Sequence, residues 1–173
     1  MATAHAPQRR TDLGAWIRYG VLGGIVAGIV FAMFEMIMAL ILDGPDAFFM
    51  PLRMIGGIGL GPSAMEPTTS LLSAGAAGIV IHMILSMMYG VVVAAVLSLI
   101  PRLSATRTAV LASASVAGFA LWIVNFYGFA PVFGWTWFPD NTNPVVQFVA
   151  HTFFFGTVLG FVLNRTYFNR GVS

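Results

Sequence analysis

The chain has 173 residues, of which 58% are hydrophobic and 8% charged, and its mean hydropathy is +0.89, whereas soluble domains carry about 25% charged residues. That composition excludes an ordinary soluble domain and implies an integral membrane protein folded as one compact helical bundle. Eight arginines, no lysine and six acidic residues set orientation in a bilayer and do not suggest nucleic acid, while the absence of cysteine removes disulfides, thiolate metal sites and thiol nucleophiles.

Residues 1–15 read as a cytoplasmic tail. Arg9 and Arg10 ahead of an apolar run superficially resemble a signal peptide, but the run is too long and is followed by more membrane-type sequence, so a positively charged anchoring tail is expected. The first span covers residues 16–42, where Gly20, Gly24, Gly28 and Ala32 recur every fourth position and form a small-residue stripe that lets another helix approach closely. Asp43-Gly44-Pro45-Asp46 is a helix stop. The outer loop, 43–69, contains Phe48, Phe49, Met50, Leu52, Met54 and Ile55 interrupted by glycine and proline. It is too short and broken to span, which predicts an interfacial or re-entrant segment. Its Arg53 would meet lipid phosphate, serve structure or cap a cavity.

The second span covers 70–100. From Pro67 to Pro101 there is no Asp, Glu, Lys or Arg, more than the ~20 apolar residues a bilayer core requires, yet the segment carries His82. An ionisable group there normally faces the protein interior, a partner or a water-filled cavity. A turn at 101–107 with Arg102 and Arg107 leads into the third span, 108–130, and its shortness predicts that the second and third spans are antiparallel neighbours. Trp135, Trp137 and Phe138 place the outer aromatic loop, 131–142, at headgroup level. The fourth span, 143–163, and a tail, 164–173, complete the chain. Arg9, Arg10, Arg18, Arg102, Arg107, Arg165 and Arg170 fall on one side and Arg53 alone on the other, so the positive-inside rule predicts two cytoplasmic termini.

Four polar residues, Glu35, His82, Asn125 and His151, fall at similar depth in the outer half of the bilayer when each helix is counted at about 1.5 Å per residue. Ala27-Gly28 through Glu35 matches Ala117-Gly118 through Asn125, with the polar residue seven after the glycine in both. Phe48-Phe49-Met50-Pro51 and Trp137-Phe138-Pro139 then each precede a histidine-bearing helix. The expected fold is an all-α four-span up-down bundle built as a tandem repeat of two helical hairpins. Its axis would relate Glu35 to Asn125 and His82 to His151, letting the two histidines face one another. Ser86 and Tyr89 share the His82 face, and Gln147 lies one turn before His151.

Several functions compete for this constellation. The leading expectation is a non-enzymatic protein that binds or conducts a proton, an ion or a small ligand at Glu35, His82, Asn125 and His151. A b-type haem with His82 and His151 as axial ligands would make it an electron-transfer subunit, and a mononuclear metal held by both histidines and Glu35 is a variant. A structural role, with neutral histidines tying helices together, would suit a scaffold or accessory subunit of a larger membrane complex. The expected partner is the lipid bilayer, with a homo-oligomer or a larger complex left open. No Gly-rich phosphate loop, H-E-x-x-H helix or Ser–His–Asp set is present, so no enzyme is expected. The ten methionines, Met33, Met36, Met83, Met87 and Met88 among them, read as packing in preference to soft metal ligands.

Gly24-Ile-Val-Ala-Gly28, Leu52-Arg53, His82-x-x-x-Ser86 and His151 before an Arg-flanked helix end together resemble the YagU-like family of bacterial inner-membrane proteins. The resemblance implies a small polytopic protein of the bacterial inner (plasma) membrane. It supplies no assigned site residue.

Overall fold

A computed structural model describes residues 13–168; Arg9, Arg10 and Arg170 lie outside the described residues. Among the described residues four helices are long and apolar enough to cross a membrane: α1 (Leu13–Asp43), α3 (Leu71–Leu99), α4 (Arg107–Phe133) and α6 (Pro144–Thr166). Between them lie α2 (Met50–Leu60) and the short α5 (Trp137–Asp140). Among the described residues there is no strand, and the chain is an all-α four-helix bundle of the membrane type.

The punctuation follows local chemistry. Gly44, at φ 94°, and Pro45 end α1, because an Asp-Gly-Pro run both turns the chain and removes a backbone donor. Thr106 caps α4 by accepting from the Ala109 amide at 3.0 Å. Asn143 caps α6 by accepting from the Val145 and Val146 amides, with Pro144 at the first helical position. The bundle therefore has a turn end, at residues 101–106, and a loop end that carries α2, α5 and their connections.

Glycine decides which helices touch. A Cβ on Gly20 would lie 2.7 Å from the Gly90 carbonyl oxygen, and one on Gly24 would collide with the Ser86 carbonyl, so α1 and α3 pack backbone against backbone. On the other side, a Cβ on Gly156 would lie 2.5 Å from the Ala114 carbonyl oxygen, and one on Gly118 would strike the His151 carbonyl. These contacts join α4 to α6. The hairpins meet chiefly through α1 and α6, where Leu159 and Leu163 are fully buried with Ala27 and Phe31.

The second and third spans are not the close neighbours their short turn predicts: α3 and α4 make little contact. The reason lies in the side chains. Of the glycines of α3, Gly90 is committed to α1 and Gly78 to the Leu52 backbone of α2, while branched Val92, Val93 and Val96 line the groove toward α4. The segment 47–66 contains a complete helix, α2, laid against α3. Arg53 is structural: its guanidinium donates to the carbonyls of Ala64, Glu66 and Thr69 at 2.9, 3.2 and 3.0 Å and so holds the loop between α2 and α3.

Candidate functional site

The loop half of the bundle encloses a cavity of about 310 Å³ whose wall includes all four residues singled out from the sequence, Glu35, His82, Asn125 and His151. It is bounded by α1, α2, α3, α4 and α6, with Trp135, Asn141 and Thr142 of the loop end also on its wall. Such a volume lies at the lower end of the range of small-molecule sites.

Each polar residue has a defined partner. The amide of Gln147 on α6 donates to Glu35 Oε2 on α1 at 2.8 Å, while Glu35 Oε1 is buried without a hydrogen bond. Tyr89 on α3 donates to Asn125 Oδ1 on α4 at 2.7 Å. The polar residue on the first helix of each hairpin is thus bonded by the second helix of the other. The hairpins are tied reciprocally.

The histidines are used differently. His82 Nε2 lies 2.8 Å from the Gly28 carbonyl oxygen of α1, and a carbonyl only accepts, so Nε2 carries the hydrogen and Nδ1 keeps its lone pair in the neutral ring. Ser86 Oγ, at 3.5 Å from the same nitrogen, is a marginal second contact. His151 Nδ1 donates at 2.9 Å to Gln147 O, one turn earlier on its own helix. By the same reasoning Nε2 of His151 holds a free lone pair. The phenyl ring of Phe31 packs on both imidazoles, stacked on His82 at 5.5 Å between ring centres and edge-on to His151 at 4.8 Å, and Phe126 closes the other contact of His151 at 5.5 Å.

Two stretches of the second hairpin depart from regular α geometry. Val124–Phe129 and Ala150–Thr157 are π-helical, and they carry Asn125 and His151 respectively. Single π turns are common at functional sites because they insert a residue and re-aim the side chains around it. Nothing in an apolar run such as Phe153-Phe154-Phe155 announces such a turn.

Gln147, Tyr89 and Phe31 belong to the site beside the four residues picked from sequence. Gln147 and Tyr89 were legible in the sequence as polar groups at helical spacing from the histidines. Phe31, one more aromatic residue in an apolar helix, gave no signal. The two-histidine, one-carboxylate set does not form. Among the described residues no three His, Asp or Glu side chains come together as a metal ion would require, because Glu35 is turned to Gln147 and Phe31 packs on both imidazoles.

Fold and cavity define a four-helix membrane protein with an amphipathic chamber at its loop end. No family model, curated protein or solved structure matches the chain, so its function is argued from these residues alone.

Proposed function

We propose that this is a non-catalytic protein of a bacterial plasma membrane, with both termini cytoplasmic, that binds a small ligand in the chamber lined by Glu35, His82, Asn125 and His151. The observation that carries the reading is their convergence, from four different helices, on one cavity with mostly apolar walls. A few fixed polar groups in an apolar chamber are what orientation of a small molecule requires. Binding is better supported than conduction. Toward the turn end, Val93, Leu97, Val110, Leu159 and Leu163 pack into an apolar core, and the polar lining does not continue through it. The haem alternative has no observation of its own in its favour, since His82 commits Nε2 to Gly28 and Phe31 packs against both rings.

The test is native mass spectrometry of the full chain released from lipid nanodiscs. A small-molecule adduct is expected on the parent and on Val116→Trp, a change on a 65% exposed lipid-facing position. It should be lost from His151→Trp, which fills the chamber. Parent and filled variant with the same adducts, or with none, would sink the reading.

A further inference from the structure

A second space adjoins the chamber. Below it, along the seam where α3 and α4 stand apart, runs an apolar groove of about 210 Å³ lined by Val92, Val93, Val96, Ala117, Ala120 and Val124 among others. Leu121 belongs to the walls of both, so the two adjoin at that side chain. Val92, Val96 and Val124 are exposed, which opens the groove sideways to the position lipid would occupy. A chamber with a few fixed polar groups beside an apolar, laterally open groove suits an amphiphile with one tail.

Charge selects the head. The chamber wall carries Glu35 and Asp43 and neither Arg nor Lys, so a phosphate or carboxylate head would meet like charge without a compensating cation. Glu35 is 91% buried by its 9% exposure, one of its oxygens is held by Gln147 and the other lacks any hydrogen bond. A buried carboxylate oxygen of this kind calls for a donor. The free lone pairs of His151 Nε2 and His82 Nδ1 add two acceptors.

We propose that the ligand is a single-tailed amphiphile with a protonated amine head, which enters from the bilayer between α3 and α4, lays its tail along the valine-lined groove and brings its ammonium group to Glu35. This rests on the small-ligand reading of the chamber and names its class.

The experiment is equilibrium binding of radiolabelled dodecylamine, dodecanol and dodecyl phosphate to the full chain in phosphatidylcholine nanodiscs, with empty nanodiscs subtracted. Dodecylamine is expected to bind saturably and at least tenfold more tightly than dodecanol, and dodecyl phosphate not to bind. Glu35→Gln, which keeps the shape of the side chain, should weaken dodecylamine at least tenfold. Ala120→Phe, an exposed position on the groove wall, should weaken it at least fivefold. Should Glu35→Gln not fold, the ratio of dodecylamine to dodecanol on the parent decides. Equal binding of amine and alcohol overturns the charged head, and an unaffected Ala120→Phe overturns the tail route. If none of the three binds while the adduct lost from His151→Trp is present, the amphiphile is wrong and the small-ligand reading stands.

Discussion

The hairpin of α1 and α3 and the hairpin of α4 and α6 cross at matching positions, yet they place their histidines in different service. In the first, a Cβ on Gly28 would meet the Ser86 side chain, four residues after His82; in the second, one on Gly118 would meet the carbonyl of His151 itself and then Gly156. The second set of contacts falls within the π-helical stretch Ala150–Thr157. Where the helix is regular, the imidazole reaches across to the carbonyl of its partner helix. Where it is π-helical, the imidazole bonds its own helix and keeps one nitrogen free on the cavity wall. Both rings keep one nitrogen unbonded, and what separates them is whether the bonded nitrogen fastens a second helix or its own.

The largest effect should come from testing whether the two crossings are equivalent. Gly90→Leu would drive a side chain into the Gly20 carbonyl and the Gly24 backbone, and Gly156→Leu into Ala114 and Ser115. In both cases the obstacle is backbone, which cannot rotate away, so each change should cost about 3 kcal/mol or more. Unfolding in mixed detergent micelles measures it. Tolerance of one substitution and not the other would break the equivalence of the hairpins.

The segments that close the two hairpins differ more than the helices do. In the first, α2 is clamped by Arg53 through three loop carbonyls. In the second, the four-residue α5 docks through Trp137, whose indole donates to the Met54 carbonyl of α2 at 3.1 Å. Arg53→Ala should therefore cost about 2 kcal/mol, less than the sum of three charge-assisted bonds because the site is partly exposed. Trp137→Phe should cost about 1 kcal/mol. Limited proteolysis in the 61–70 loop should rise sharply for the first variant and little for the second. Equal susceptibility would show that Arg53 does not hold the loop.

How much of this was legible in the sequence follows from what each feature depends on. The four spans were readable to within three residues at each end, because uninterrupted apolar length is a property of sequence alone. Glu35, His82, Asn125 and His151 were readable as one cluster because depth along a helix is a matter of counting. Which helices touch was not. The short turn at 101–106 suggested contact between α3 and α4, but contact was decided by which face of α3 carries glycine. The π-helical stretches were hidden as well, since an extra residue per turn leaves composition unchanged. Arg53 was ambiguous for the same reason. Its three carbonyl partners are backbone atoms that any sequence would supply.

The smallest effect is the most discriminating, and it concerns the two histidines directly. Replacing either by phenylalanine keeps a ring of similar size and removes the nitrogens, so the loss is of bonding and little of packing. His82→Phe breaks a tie between α3 and α1 and should cost about 0.6–1.7 kcal/mol, the range found for interhelical hydrogen bonds in membranes. His151→Phe breaks only a bond within α6, and its unfolding cost should stay below about 0.5 kcal/mol. For ligand binding the two should be alike, because each ring keeps one nitrogen unbonded and both line the cavity. Measured side by side, unfolding should single out His82, whereas dodecylamine affinity should fall in both variants. Equal unfolding costs would mean that the bond to Gly28 does not tie α3 to α1.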